Sequence, residues 1–469
     1  MSTASRSSGY GVAKSGEPAF GVRGIVEGFY GTPWTHEERL DMIRFIGARG
    51  MNRFVYAPKD DPAVRRAWRE SYSGAELERL AELVAVAAGA GVELEYCLSP
   101  GLSIRYSDPA DTDALLAKLD SVANLGVRRF GLLLDDIPPV LQHEADIAAF
   151  PDLASAHASL ANAVGARLTT VGHSLAVCPT QYYGRGTEPY IRALGAALDG
   201  GIDLYWTGRL ICSPSLDLDD AIIFAENTGR PPLYWDNYPV NDVAMTHELH
   251  IGPYRERDAQ LATASRGVIA NPMEFAEASK IAIATIADYL WSPVDYDPEE
   301  SWRVALADVV GAADLDAYSL FAENSRTSCL SLDDAERLTR ALERFDFLVE
   351  TGRPDAAAEV LRDVARQYSA ASAHLLSDRV ENVRLIEQSR PWLESFAVGA
   401  EALTAMAELA TSGRLDEDAP AVLAPYRDRL IAARRRVFGD ALDMTLAQLV
   451  DPVEHRTTRS DQSHKEAAP

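Results

Sequence analysis

Two adjacent carboxylates, Asp135 and Asp136, directly follow an apolar run that ends at Leu134. Successive side chains of a strand point to opposite faces, so both acids can enter one cavity only where the strand ends and the backbone turns. Pro138 and Pro139 end this strand just beyond the pair. When two carboxylates are held close together, the pKa of one is raised, and that group can act as an acid near neutral pH. An arbitrary pair of aspartates is more often a helix N-cap or a loop, but the position at the end of a buried strand favours a catalytic role.

Polar or aromatic side chains also follow the other apolar runs of the first 290 residues. The runs lie near 24–28, 53–58, 92–98, 128–136, 174–179, 202–208, 232–237 and 267–272. Lys59, Tyr182, Trp235, Asn237 and Asn271 all stand at or just beyond the end of such a run. Loops are polar in general, which accounts for one or two of these ends. It does not account for an aromatic and a hydrogen-bonding group at nearly all of them.

Amphipathic stretches separate the apolar runs. The first begins with a capping box formed by Thr35 and Glu38, and further stretches lie near 75–89, 111–124, 152–168, 188–198, 217–226 and 274–290. Eight strands, each followed by a helix, predict an α/β fold of the (β/α)₈ TIM-barrel type, whose active site lies at the carboxyl ends of the strands. The stretch between Asn241 and Gly267 is the weakest member of this pattern. A doubly wound open sheet is the alternative, but no GxGxxG or GxxxxGK[ST] motif follows any run.

The pattern changes near Asp297, where strand-like runs stop and long helical stretches begin. These lie at 300–321, 332–350, 354–376, 378–412 and 418–449. We therefore predict a barrel domain at residues 22–296 and an all-α helical bundle domain at 297–450. Residues 1–21 and 451–469 are predicted to be disordered. The Ala- and Leu-rich helical domain is a candidate surface for a homodimer.

Composition restricts the class of partner. The chain carries 70 acidic and 45 basic side chains, a formal net charge of −25. Such a surface repels phosphate backbones and anionic lipids, so we expect neither a nucleic-acid nor a membrane partner. The four cysteines form no CxxC pattern and the nine histidines form no HExxH pattern, so no metal site is predicted. The N-terminus lacks a signal-peptide pattern and no run reaches membrane-spanning length, which favours a cytoplasmic protein.

Seven motifs, taken in order, resemble glycoside hydrolase family 84. They are GIVEGFYGTPWT, VYAPKDDP, LLLDDI, CPTQYYG, YWTG, YWDNYPVND and ANPMEF, and together they cover roughly residues 22–290. That family holds bacterial β-N-acetylglucosaminidases and the protein O-GlcNAcases of animals. The resemblance implies a retaining hydrolase whose nucleophile is the 2-acetamido oxygen of the substrate, with an oxazoline intermediate and no cofactor. Its partner would be a glycoside or glycoprotein that carries N-acetylglucosamine.

The resemblance also implies roles for individual residues. Asp135 would accept a hydrogen bond from the acetamido N–H, and Asp136 would act as general acid and then as general base. The substrate-binding residues would be Gly28 and Lys59 at sugar hydroxyls, Tyr182 at the acetamido oxygen, Trp235 as an aromatic wall, Asn237 in support of the first aspartate, and Asp242 and Asn271 at the far hydroxyls. Tyr30, Tyr183 and Trp206 are interpreted as residues that either support the site from behind or only pack.

Other functions remain open at the level of the sequence. The same site could serve a hyaluronidase-like or other hexosaminidase specificity, and a non-catalytic carbohydrate-binding barrel would keep the pocket without needing an acid. A lyase or aldolase would need a Schiff-base lysine within a strand, whereas Lys59 lies beyond its strand in a KDD run. Lys59 could instead pair with Asp60 or Asp61 on a solvated loop, Trp235 could belong to the barrel core, and Asp242 could be a helix cap.

Overall fold

The computed structural model describes residues 16–332 and 334–451. The predicted disorder of 1–21 and 451–469 therefore falls largely outside the described residues. The chain divides into two compact units. The first, which we call the barrel unit, runs to Val243 and continues over Pro253–Ala305. The second, the helical unit, contains Ala244–Gly252 and the chain from Leu306 onward.

Eight parallel strands close into a barrel in the order β1 to β8, and β8 pairs with β1. Their bounds are β1 Val22–Glu27, β2 Arg53–Tyr56, β3 Glu93–Leu98, β4 Arg129–Leu133, β5 Ser174–Cys178, β6 Asp203–Trp206, β7 Leu233–Asp236 and β8 Gly267–Ala270. Each lies within or beside one of the eight apolar runs, so the predicted (β/α)₈ barrel is confirmed. Apolar side chains such as Val26, Val55, Leu133 and Ile269 fill its interior.

Helices lie between most of the strands. They are α1 His36–Ala48, α2 Gly74–Gly89, α3 Pro109–Ala123, α4 Glu144–Ala149, α5 Leu153–Thr169, α6 Pro189–Ala197, α7 Leu218–Thr228 and α8 Ala276–Trp291. The capping box predicted for the first helix is present, because Thr35 accepts from the Glu38 N–H and Glu38 accepts from the Thr35 N–H. The short helix α4 was not predicted.

The connection from β7 to β8 corrects the expectation that a helix follows every strand. Its described helical residues form only the 3₁₀ turns Val243–Met245 and Leu261–Thr263. A buried ion pair rather than a helix anchors this connection to the barrel unit. The buried Arg257 donates to both carboxylate oxygens of Asp236, at 2.8 and 3.0 Å, and to the carbonyl of Pro214 at 2.9 Å.

The helices after the barrel are α9 Pro298–Val310, α10 Leu315–Ala322, α11 Glu336–Glu350, α12 Pro354–Leu375, α13 Val383–Thr411, α14 Leu415–Ala433 and α15 Ala441–Val450. Two of the five predicted stretches are each divided in two. Gly311 divides the first at a φ of 96°, and a break after Ala433 divides the last, where Arg434 has a φ of 50°. A left-handed residue cannot continue a right-handed helix, so each chain turn follows from local backbone geometry.

Phe396 lies at the centre of an aromatic cluster in the helical unit. The ring centroid of Tyr368 lies 4.7 Å from that of Phe396, and the ring centroid of Phe438 lies 5.4 Å from it. Gly399 makes room for this cluster, because a methyl group at that position would lie 2.2 Å from the Phe438 ring.

Among the described residues, none of the helices combines the length and the apolar character needed to cross a bilayer.

Candidate active site

The backbone turns at the acid pair. The N–H of Leu134 still donates to the carbonyl of Cys178 on β5, at 2.8 Å, and the Thr180 hydroxyl donates to the Leu134 carbonyl at 2.6 Å. Asp136 then adopts a left-handed φ of 51°, which is uncommon for a residue with a Cβ and costs about 1–2 kcal/mol. The turn ends the alternation of the strand and leaves both carboxylates within reach of one lysine.

Lys59 is that lysine, and it lies buried just beyond the end of β2. Its ammonium pairs with Oδ2 of Asp135 and lies 3.9 Å from Oδ2 of Asp136. It also lies 5.8 Å from the centre of the Trp235 ring. Burial opposes the charge, but the Asp135 carboxylate outweighs it and raises the pKa of Lys59 above its usual value. A lysine held protonated in this way is unsuited to Schiff-base chemistry, which disfavours the lyase and aldolase reading.

Asp136 accepts two tyrosine hydrogen bonds. Tyr30 donates to Oδ2 at 2.7 Å and Tyr182 donates to Oδ1 at 3.0 Å. Burial acts to raise the pKa of Asp136, but the Lys59 charge and the two hydroxyl donors outweigh it, so the pKa lies below its ordinary value. The pair was expected to raise the pKa of one of its members, and at Asp136 the shift has the opposite direction. The reason is that a buried cation stands beside both carboxylates and removes much of their mutual repulsion.

Asp135 has one oxygen without a partner. The residue is 5% exposed, Oδ2 pairs with Lys59, and Oδ1 is buried with no hydrogen-bond partner in the described part of the chain. A buried carboxylate oxygen that lacks a donor is costly, so this atom is a strong acceptor for an N–H or O–H that enters the site.

Trp235, Asn237, Asn271 and Gly28 form one connected wall. Oδ1 of Asn237 accepts from the Trp235 indole N–H and from Asn271 Nδ2, both at 3.0 Å, and Nδ2 of Asn237 donates to the Ile211 carbonyl at 2.8 Å. Asn271 accepts from the Gly28 N–H at 3.3 Å. Because these bonds engage both ends of its amide, Asn237 orients the wall and makes no hydrogen bond to Asp135 among the described contacts.

The structure gives a reason for glycine at position 28 that differs from the expected contact with a sugar hydroxyl. A methyl group at this position would lie 2.4 Å from Cζ2 of Trp235. The glycine therefore leaves space for the Trp235 indole. This indole belongs to the barrel core, and its ring also lies near Lys59, which pairs with the acids. Both interpretations of Trp235, as core residue and as site wall, describe the same side chain.

Asp242 is joined to the site through Tyr30. Its Oδ2 accepts a hydrogen bond from the Tyr30 N–H at 2.7 Å. Burial and the nearby Asp136 charge raise the pKa of Asp242, and they outweigh the lowering effect of that hydrogen bond. The carboxylate thus fixes the loop that carries the Tyr30 hydroxyl to Asp136.

Two residues of the site were not predicted to have this role. Tyr30 was interpreted as a supporting or packing residue, although its place in the EGFYG motif at the end of β1 was a usable signal for direct contact with the acid. Arg65 has no comparable signal, because it lies in the stretch PAVRRAW beside a second arginine. It donates to the Tyr30 hydroxyl at 2.8 Å and to the Asp136 carbonyl at 3.2 Å. Within the described ranges, no group of three or more His, Cys, Asp or Glu side chains is placed to hold a metal ion.

The chain is similar to proteins of known family. The family model for beta-N-acetylglucosaminidase matches residues 23–323. The Protein O-GlcNAcases of Rattus norvegicus and Mus musculus are each 36% identical to this chain over 292 residues, which is 60% of this chain and 32% of either relative. The chain thus spans about a third of the length of these curated relatives.

A solved structure extends the likeness beyond the barrel. A mutant of the O-GlcNAc hydrolase of Thermobaculum terrenum is 32% identical, with a TM-score of 0.88, and the match covers 96% of this chain and 99% of that chain. The resemblance predicted from the motifs is thereby confirmed. Since the family model matches well over half of its residues, this chain belongs to the β-N-acetylglucosaminidase family, glycoside hydrolase family 84.

Proposed function

We propose that the protein is a retaining glycoside hydrolase that removes terminal β-linked N-acetylglucosamine, with the 2-acetamido oxygen of the substrate as nucleophile and an oxazoline as intermediate. The observation that carries this proposal is the unpartnered Oδ1 of Asp135 beside a second carboxylate. Family membership supports the choice of sugar.

Asp135 orients the nucleophile. Lys59 holds Oδ2, so Oδ1 is the oxygen that accepts the acetamido N–H. This bond turns the acetamido carbonyl toward the anomeric carbon. As the carbonyl oxygen attacks, positive charge develops on the acetamido group, and the adjacent buried carboxylate stabilises it.

Asp136 transfers the proton. In the first step it protonates the leaving oxygen, and in the second it removes a proton from the water that opens the oxazoline. Its lowered pKa suits the second step, in which the ionised form is needed. In the first step a bound sugar removes water from the carboxyl, and Tyr182, which has a single O–H to donate, turns to the acetamido oxygen. Both changes raise the pKa of Asp136 and favour the acid.

The remaining predicted residues form the sugar pocket in this proposal. Trp235 is the wall against the acetamido methyl, and Asn237 holds that wall to Asn271. Gly28 and Lys59 border the sugar ring, and Asn271 and Asp242 contact its far hydroxyls through the acceptor capacity that remains after the bonds to Gly28 and Tyr30.

We also propose that residues 22–296 are the catalytic domain and that 297–450 form a separate helical domain, which is a candidate surface for a homodimer. The substrate would be a protein that carries the sugar. A cytoplasmic location is supported by the unbridged, buried thiols of Cys97 and Cys178. Sedimentation analysis of the purified protein tests the dimer.

The two acids are distinguished by leaving-group dependence. In Asp136→Asn we expect the rate to fall by about 10²–10⁴-fold on aryl N-acetylglucosaminides with poor leaving groups, because these need a proton. Activated aryl glycosides should be spared far more. Asp135→Asn should impair both classes, because the nucleophile is no longer oriented. Equal and small losses in both variants would contradict the assignment.

Substrate analogues test the nucleophile. The 2-acetamido substrate should be hydrolysed, whereas an analogue with a 2-hydroxyl group should scarcely react, because it lacks the attacking oxygen. A galacto-configured analogue and an O-GlcNAc peptide separate this proposal from other hexosaminidase specificities. Turnover of the 2-hydroxyl sugar at a similar rate would exclude substrate assistance, and binding without turnover would indicate a carbohydrate-binding barrel.

A further inference from the structure

Arg65 bridges two parts of the candidate site. One arm of its guanidinium, Nη1, donates to the Tyr30 hydroxyl at 2.8 Å, and the other, Nη2, donates to the backbone carbonyl of Asp136 at 3.2 Å. The guanidinium carbon also lies 5.7 Å from the centre of the Tyr30 ring. The planar fork therefore contacts both the acid and the hydroxyl that serves the acid.

The bond to Tyr30 determines the direction of the hydroxyl proton. A guanidinium can only donate, so the Tyr30 oxygen is the acceptor in that bond. Its own O–H is then left to donate to Oδ2 of Asp136, which lies 2.7 Å away. Arg65 thus makes the tyrosine a donor to the acid, and its positive charge adds to the stabilisation of the carboxylate.

The bond to the Asp136 carbonyl acts on the backbone. Asp136 has a φ of 51°, a conformation that residues with a Cβ rarely adopt without support. A charged donor on its carbonyl supports that turn. Tyr30 is itself fixed from the opposite side, since its N–H donates to Asp242 at 2.7 Å.

We propose that Arg65 is a positioning residue for the acid–base carboxylate. It holds the left-handed turn at Asp136 and fixes the Tyr30 hydroxyl as a donor to Oδ2, so that one carboxylate orientation serves both steps. The inference rests on the proposed function of Asp136. The titratable and charged groups that also face Asp136 are Lys59, Tyr30, Tyr182, Asp135, Asp242 and Cys178.

The test compares Arg65→Met with Arg66→Met. Arg66 is the adjacent arginine, it is exposed, and it has no described contact with the site, so the two variants share the change of net charge. We expect Arg65→Met to lower kcat by about 10²-fold on aryl N-acetylglucosaminides with poor leaving groups, as displacement of a reacting group by about 1 Å does. The loss should be much smaller for activated leaving groups. Arg66→Met should match the unaltered enzyme on both.

The pH profile separates positioning from mere structural support. Arg65 and the Tyr30 hydroxyl stabilise the carboxylate, so their loss raises the pKa of Asp136. The alkaline limb of kcat, which reports loss of the proton from the acid in the substrate complex, should therefore move to higher pH in Arg65→Met. Arg65→Lys keeps the charge but cannot bridge both acceptors. Its alkaline limb should therefore lie near that of the wild type, whereas its kcat should stay well below the wild-type value. In a Tyr30→Phe background, Arg65→Met should add less to the shift than in the wild type, because only the direct effect of its charge on Asp136 remains.

Different results would overturn the role of Arg65 and the proposed function. Equal behaviour of Arg65→Met and Arg66→Met, or a loss that is the same for all leaving groups with an unmoved limb, would overturn the proposal. If Arg65→Met does not fold, Arg65→Lys serves with the same readouts. A wild-type enzyme without turnover would overturn the proposed function instead. The ¹³C carboxyl titration of Asp136, assigned with Asp136→Asn, then still tests whether Arg65 lowers its pKa.

Discussion

Replacing Gly28 with alanine should displace the Trp235 indole. The added methyl carbon would lie 2.4 Å from Cζ2 and 2.9 Å from Cη2 of that ring. Non-bonded carbon atoms settle at about 3.5–4.0 Å, so the ring must move by roughly 1 Å. The indole has little freedom to do so, because it is 5% exposed, packs edge-on against Tyr205 at 5.4 Å and donates to Asn237 at 3.0 Å.

Both stability and activity should respond. Overpacking of this kind costs about 1–3 kcal/mol in the free energy of unfolding. A displacement of about 1 Å in a wall that positions the substrate lowers kcat/KM by roughly 10²-fold. The assay is hydrolysis of an aryl β-N-acetylglucosaminide together with denaturant unfolding. The control is Gly74→Ala, because a methyl group there meets no atom within 4 Å.

A second substitution identifies the indole as the cause. Phenylalanine at position 235 lacks the fused benzo ring that Gly28 faces. In a double-mutant cycle, Gly28→Ala should therefore cost far less free energy of unfolding in the Trp235→Phe background than in the wild-type background. If Gly28→Ala retained wild-type kcat/KM and stability, or if the two substitutions were additive, the steric explanation of this glycine would be refuted.

Two further substitutions test buried charges. Arg257→Met should lower the free energy of unfolding by about 3–5 kcal/mol, because it leaves the carboxylate of Asp236, which is 1% exposed, without its cation. Arg209→Met breaks a pair of 2.6 Å whose arginine is 62% exposed, so denaturant unfolding should show a much smaller loss, and equal losses would contradict the argument. Lys59→Met should invert the pH dependence of stability at the site. The pKa of Asp136 is lowered in the wild type, so its contribution to the free energy of unfolding is present above the unfolded-state pKa and is lost as the pH falls. Without the lysine the pKa of Asp136 rises, and the melting temperature should instead increase as the pH falls toward 4. A variant that melts like the wild type across this range would exclude the buried lysine as the source of the low pKa.

Much of the fold followed from periodicity. Each of the eight apolar runs became a strand, because a parallel strand buried on both faces needs a short run of apolar residues wherever it occurs. The prediction of a helix after β7 was wrong, because the pattern between Asn241 and Gly267 is not helical. The buried ion pair of Arg257 and Asp236 holds that connection instead. Its two members are 21 residues apart, so no local pattern reveals them.

The candidate site was predicted in its membership more than in its chemistry. Motif order located the acids, the lysine and the asparagines. It did not reveal that Asn237 bonds to Trp235 and Asn271 rather than supporting Asp135, because an amide has several partners within reach and packing selects among them. The argument from paired acids predicted a raised pKa for one member, whereas the pKa of Asp136 is lowered, since it depends on charges and donors from three other strand ends.

The sequence by itself determined the parallel barrel and the place of the two acids at the end of its fourth strand, because hydrophobic periodicity and chain neighbours are local properties. Only the tertiary structure decided that Lys59, which is 76 residues from Asp135, pairs with it, and that Arg65 rather than its neighbour Arg66 reaches Tyr30 and Asp136. The physical reason is that closure of the barrel brings together the ends of strands that are distant in the chain. Short-range charges and hydrogen bonds set the protonation and direction of each group only once those distances exist.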